Sequence, residues 1–279
     1  MSYGDVALVR HPMQTLLVFN VQGGFHQAEL VHGLGEAWAE AGRSVALVDV
    51  DPLTRLTDRN AVHGGPTIAD VLGARVDPND ALVPLAPRLS LIRGDRLLAG
   101  ARTWRMQQGW EELIAPLRST TDLCVCSVPH EAGEALLRTM GRGADAGFLI
   151  VEPGSFGLRG VHDALSRFGR ALRGEARPVW MNLVGFRPRS PLARNFQLRL
   201  RARFHRQLVG RALLEGAEQG PEVRRLASEL AHALRTGSRR MVRQTDGQAS
   251  QSGVLTHAAP SNPIGFLGGR SHSLHPWTP

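Results

Sequence analysis

Apolar positions along the chain follow two different periods. Thr15–Asn20, Ser44–Asp49, Leu89–Ile92, Leu123–Cys126, Ala146–Val151 and Val179–Val184 are short runs with little polar interruption. They predict strands buried on both faces. Between them, apolar residues recur every three or four positions. Leu30, Val31, Leu34, Ala37, Trp38 and Ala41 put one stripe on a helix over Ala28–Ala41, which Gly42 closes. The same spacing predicts a short helix over Thr67–Leu72 and longer ones over Gln107–Leu117, from Pro129 to Met140, over Gly160–Leu172 and over Glu222–Leu234. A further helix over Leu192–Leu208 carries the stripe Leu192, Phe196, Leu200, Phe204 and Leu208. Strand and helix alternate, which predicts an α/β fold with a mostly parallel sheet and helices on both faces. The domain spans residues 15–236, after an N-terminal extension over 1–14. From 237 to 279 Ser, Gly, Gln, His and Pro predominate. That stretch reads as a flexible tail with one small docking motif, Ile264–Leu267.

Composition narrows the chemistry. The 279 residues are 42% hydrophobic and 21% charged, as in a globular protein of one large domain or two small ones. No apolar run approaches the roughly 18–20 residues that span a bilayer. Met1–Pro12 lacks a basic region followed by an apolar core, so no secretory signal is expected. All 33 basic residues are Arg; there is no Lys. Schiff-base chemistry, a P-loop lysine and a lysine general base are thereby excluded. Cys124 and Cys126 alternate on one strand and read as buried thiols of a reducing, cytoplasmic compartment rather than a disulfide or a zinc site.

The charge is uneven. Met1–Phe186 holds 18 Arg against 20 acids, whereas Arg187–Arg243 holds 14 Arg against 4 Glu, a net of +10. An anionic partner is expected there. On the predicted Leu192–Leu208 helix, Arg199, Arg203 and Arg206 fall in one angular cluster, and Arg239, Arg240 and Arg243 add charge beyond the last helix. A polyanion or an anionic membrane would meet such a face, and an ordinary solvated arginine face is the plain alternative.

In open parallel sheets ligands bind at the carboxyl ends of the strands. The first predicted strand runs into Gln22-Gly23-Gly24, and the second ends in Asp49-Val50-Asp51. A dinucleotide fingerprint needs G-x-G-x-x-G, and only the Gly pair is present. Ser127, His130 and Glu131 crowd into five residues without the G-x-S-x-G pattern of a hydrolase elbow. No pair of the 11 His has a metal-binding helical spacing in an acidic setting, so no metal site is expected.

Six segments in order resemble the ParA/MinD family, the P-loop ATPases with a deviant Walker A loop. Gln22–Glu29 stands where that loop stands. Leu34–Pro52, Thr67–Leu72, Leu89–Ile92 with Leu98–Ala101, Val151–Gly160 and Phe186–Arg194 resemble its later motifs, across about residues 15–235. Phe186–Arg194 also resembles the cellulose-secretion (BcsQ-like) branch. The resemblance implies ATP and Mg²⁺ as cofactors, a homodimer, a protein partner, and a role in positioning DNA or cargo or in assembling a secretion machine such as cellulose synthase; because members of the family ride on the nucleoid by basic C-terminal surfaces, it also makes non-specific duplex DNA the first candidate for the basic stretch, with anionic membrane second.

The departures reverse part of that expectation. The family's two lysines fall on Gln22 and Gln27, its loop glycine on His26, its Mg²⁺-binding Thr on Ala28 and its Walker B aspartate on Ser127. Phosphoryl transfer depends on positioned positive charge, and losing one such stabiliser commonly costs about 10²–10³ in rate. The nucleotide site (Gln22, Gly23, Gly24, Gln27, Ala28, Ser127) therefore reads as vestigial, with no catalytic residue. Asp49 and Asp51 remain either as vestigial acids or as a strand-end pair capping the next turn. The expected product is a pseudo-ATPase scaffold, with a weak partition-type ATPase using ATP and Mg²⁺ as its rival. An enzyme of unrelated nucleotide chemistry is the third reading. Phe25, at the loop tip, is expected either to anchor a nucleotide-independent dimer or to fill the phosphate pocket.

Overall fold

Gln14–Asn20 forms β1 at the heart of the sheet, with every residue from Thr15 to Asn20 buried. In the computed structural model residues 12–22, 26–100, 103–154, 157–172, 177–217 and 220–249 are described. After β1 come α1 (His26–Glu40), β2 (Val45–Asp49), α2 (Arg55–Arg59), α3 (Ile68–Leu72), β3 (Val83–Ala86), β4 (Leu89–Ile92) and α4 (Thr103–Thr120). Then follow β5 (Leu123–Val128), α5 (Glu134–Gly143), β6 (Ala146–Val151), α6 (Gly157–Leu172), β7 (Val179–Leu183), α7 (Pro191–Phe204) and α8 (Pro221–Ala249). The sheet order is β3-β4-β2-β5-β1-β6-β7, parallel except for the antiparallel edge strand β3. Beyond β7 the backbone of 207–213 adds a partial eighth strand: Val209 N–H donates to Met181 O at 3.0 Å and Leu213 N–H to Leu183 O at 2.8 Å.

Side chains alternate across β1, so each face builds its own core. Leu17 and Phe19 join Trp110, Leu137, Phe168 and Leu200 of α4–α7 on one side. Leu16 and Val18 join Leu30, Leu34 and Trp38 of α1 and Leu226 and Leu230 of α8 on the other. Trp38 Nε1 donates to Ala227 O at 2.9 Å, tying α1 to α8. Thr67 and Asp70 form a capping box that starts α3. Cys124 and Cys126 lie on one face of β5, both fully buried and free, with sulfurs 3.8 Å apart.

Two elements escape the sequence pattern and two expectations need correction. Strand β3 escapes the apolar pattern because it is an edge: Val83 and Leu85 are half-buried, Pro84 and Ala86 exposed. Five-residue α2 is too short for a periodic signal. Helix α7 stops at Phe204 rather than Leu208, and its buried stripe is Ala193, Leu200 and Phe204; Leu192 is 72% exposed. A strict four-residue repeat gains about 40° per step at 100° per residue, so the first Leu rotates off the core face. Helix α8 continues to Ala249, into the segment expected to be a tail. The chain divides into units Met1–Met241 and Val242–Pro279. Residues 1–11 of the extension and 250–279 of the tail, with Ile264–Leu267, lie outside the described residues.

Candidate functional site

The parallel register sets Val18 of β1 and Asp49 of β2 on either side of Ser127 of β5. Gln27, in the first turn of α1, points down into this junction and is buried. Its Nε2 donates to Ser127 Oγ and Val128 O, both at 2.9 Å, and lies 3.3 Å from Val18 O. Its Oε1 accepts from Asn20 N–H at 3.1 Å. An amide has two N–H groups, and three acceptors already share them. The residue at the phosphate-lysine position is thus fully engaged with its own strands.

A second ring of bonds lies beside the first. Asn20 Nδ2 donates to Glu152 Oε1 at 2.7 Å, and Asn20 Oδ1 accepts from Gln22 N–H at 3.0 Å. Gln22 Nε2 donates to Glu152 O at 3.1 Å, so it reaches its own β6 end. Gly154 permits this, since a Cβ there would sit 3.0 Å from Gln22 Oε1. His26, whose loop position had no sequence explanation, packs on Gly185; a Cβ at Gly185 would lie 3.4 Å from His26 Nε2. Ala28 is buried in the core. Gly23, Gly24 and Phe25 lie outside the described residues.

Asp49 and Asp51 hold the turn into α2. Asp49 Oδ2 accepts from the Thr57 hydroxyl at 2.7 Å and the Thr57 amide at 2.9 Å, and Oδ1 from Asp51 N–H at 3.2 Å. Gly94 lets this happen, because a Cβ there would fall 2.9 Å from the Asp49 carboxyl carbon. Asp51 is paired to Arg55 at 2.9 Å and accepts from Leu53 N–H. Burial pushes the Asp49 carboxyl up to about 6 from 3.8, opposed by the Thr57 hydrogen bonds. The folded value lies above the unfolded one, so the stability linked to this group is fully present below about pH 4 and lost as pH rises through 6. At 1.36 kcal/mol per pH unit the swing is about 3 kcal/mol. Urea unfolding of wild type and Asp49→Asn from about pH 4 to 7.5 should show wild type losing that much relative to the variant. A flat difference would contradict the assignment.

These residues do not fit Mg²⁺–ATP. Gln27 has no N–H to spare, the Ala28 side chain offers no oxygen, Ser127 carries a neutral hydroxyl that already accepts from Gln27, and Asp51 is paired to Arg55. A Ser127-His130-Glu131 triad does not form either: Ser127 serves Gln27, and His130 pairs with its neighbour Glu131 at 3.2 Å. No group of three or more metal-ligating side chains occurs among the described residues. No helix among them is long and apolar enough to cross a membrane. Arg199 and Arg203 are exposed on α7. Arg206 is exposed but lies past the end of that helix, so its helical angle does not apply. Arg239, Arg240 and Arg243 fall on the α8 backbone, with no side-chain placement described. Sequence reasoning missed Asn20, Glu152 and Thr57, ordinary polar residues whose partners are distant in the chain.

No protein-family profile matches the chain. One curated relative is the maintenance of carboxysome distribution protein A of Synechococcus elongatus, 27% identical over 157 residues, or 53% of this chain and 62% of that protein. The chain therefore spans about three-fifths of that relative's length. Among solved structures, cobyrinic acid a,c-diamide synthase from Mycobacterium smegmatis, with bound ADP and magnesium, superposes with a TM-score of 0.71 at 21% identity, covering 81% of this chain and 96% of that one. A plasmid partition protein from Borrelia burgdorferi gives 0.66 at 12% identity, covering 81% and 100%. Taken with the sheet topology, these likenesses show that the chain shares its fold with these proteins, and the order of its motifs is similar to that of the ParA/MinD family.

Proposed function

We propose that this chain is a cargo-positioning protein of the ParA/MinD type whose nucleotide site has become a closed, neutral plug that neither holds nor hydrolyses ATP. The observation that carries the reading is Gln27, saturated by Val18, Ser127, Val128 and Asn20. The carboxysome-distribution relative favours cargo positioning over assembly of a cellulose-secretion machine. A weak ATPase would rest on Asp49 and Asp51, and both are spent on the α2 turn.

Without a nucleotide switch, association with a second copy and with a polyanion is constitutive. Duplex DNA is the polyanion proposed, met by exposed Arg199, Arg203 and Arg206. Log K for a random duplex should fall with log salt by about 0.9 per phosphate contacted. Changing the three Arg to Ala should flatten that slope, with or without ATP. Fluorescence anisotropy at several salt concentrations measures it. No binding at low salt, or a slope indifferent to the triple change, overturns the polyanion role. Binding that needs ATP overturns the plug.

A further inference from the structure

The sheet has two edges, and they are built differently. At β3 the edge is blunted: Pro84 has no N–H to offer, and the pairing shifts register between Pro84 and Ala86. At the other edge runs the partial eighth strand, with Gly210 and Ala212 near its middle and no Pro from 207 to 214.

The bonds of this strand fix which way its backbone faces. Val209 N–H donates to Met181 O and Leu213 N–H to Leu183 O, while Leu213 O accepts from Phe186 N–H. Val209 O and Arg211 O both accept from Asn182 Nδ2, at 2.5 Å and 3.0 Å. All of these groups therefore turn toward β7 and the turn after it. A trans peptide unit points its C=O and its N–H in opposite directions. Leu208 O, Gly210 N–H, Ala212 N–H, Ala212 O and Leu214 N–H thus face away from the sheet, and none has a hydrogen-bond partner among the described residues. Solvent reaches this edge. Gly210 is half-buried and has no side chain, so the surface it exposes is backbone. Ala212 is half-buried as well, and Leu214 is exposed.

The space on either flank is open. On the α7 side lies a cavity of about 270 Å³, with Leu200, Arg201, His205 and Leu208 in its wall. On the α8 side lies another of about 440 Å³, walled by Leu214, Pro221, Arg225 and Leu226. Gly210 and Ala212 line both. An open backbone edge between two hollows is what an added strand requires. Its main chain pairs with the edge, and its alternate side chains enter the hollow on one side and then the other.

We propose that 208–214 is a docking edge for an extended segment of a partner protein in which acidic and apolar residues alternate. The outward backbone groups supply the affinity, and the two hollows supply the sequence preference. Acidic side chains suit the α7 side, where Arg201 and His205 stand in the wall. Apolar side chains suit the α8 side, where Leu214, Pro221 and Leu226 form the wall and Arg225 is already bonded to Glu229. A second copy of this chain fits less well, because pairing edge to edge would bring two sets of Arg201, His205 and Arg211 together.

The probes are fluorescein-labelled peptides of about nine residues that alternate Asp or Glu with Val, Ile, Leu or Phe, titrated with the full chain and followed by anisotropy. At least one should bind saturably, and its counterpart with Arg in place of the acids should not. Two copies of the binding peptide are then N-methylated, each on one alternate set of residues, which leaves charge and side chains unchanged. The copy methylated toward the edge should bind about tenfold more weakly or worse, and the other should bind as the parent does. Ala212→Pro, which removes an edge N–H that the fold does not use, should weaken the parent peptide to the same degree. Circular dichroism checks that this variant folds, and Leu214→Pro gives a second lesion if it does not. No saturable binding by any of the peptides, two methylated copies that both bind as the parent does, or binding that survives the folded Pro variant overturns the docking edge. A lower molar mass for Ala212→Pro than for wild type in light scattering gives the edge to a second copy and overturns it too.

Discussion

Gln27→Lys should destabilise the folded chain by about 3–5 kcal/mol, the usual cost of a buried charge without its partner. The ammonium would enter a space now lined by Val18 O, Val128 O and the Ser127 hydroxyl, with no carboxylate among them. Ser127→Asp alone should cost a similar amount for the opposite reason. It would bury a carboxylate whose established donor, the Gln27 amide, is shared with Val18 O and Val128 O, on a residue 3% exposed. The double variant Gln27→Lys/Ser127→Asp should recover most of the loss, because the two charges meet where the amide and hydroxyl now lie 2.9 Å apart. A double-mutant cycle from urea unfolding should give a coupling of about 3 kcal/mol or more. Additive losses would mean that the two positions are not a neutral replacement for one charged pair.

Gly147→Ala should destabilise the fold strongly. A Cβ there would lie 2.2 Å from Phe168 Cε1 and 2.8 Å from Leu172 Cδ1. Phe168 cannot simply move aside, since its ring packs against Phe19 with centroids 5.5 Å apart in the same core. Overpacking of this kind costs about 1–3 kcal/mol and occasionally more. Adding Phe168→Leu should return part of the loss, because the contact atom is removed. A Gly147→Ala melting temperature equal to wild type would show that α6 does not sit this close to β6.

The strands were legible because burial on both faces leaves apolar runs that no surface element has. Ala146–Val151 is predicted and observed over the same residues. Boundaries governed by three-dimensional packing were not. Helix α7 ends when Phe204 has reached the core, and nothing in Leu208 alone reveals that the chain has already turned into a strand-like path beside Met181. Edge strand β3 hides because half of its residues face solvent. The substitutions at the motif positions were legible, and the place of Asp49 and Asp51 at a strand end, next to the turn they hold, was visible too. What the amide of Gln27 does was not, since two of its partners lie 100 and 101 residues away on β5. The one available signal was joint: the two positions that would carry opposite charges, 27 and 127, are both neutral.

The most direct test of the account is isothermal titration of the purified chain with Mg²⁺–ATP, with phosphate release and light scattering followed on the same sample. The account predicts no binding heat, no phosphate release above a protein-free control with DNA added, and the same oligomeric mass with and without nucleotide. Saturable ATP binding with turnover that Asp51→Ala abolishes, or a monomer that dimerises only when ATP is added, would contradict it.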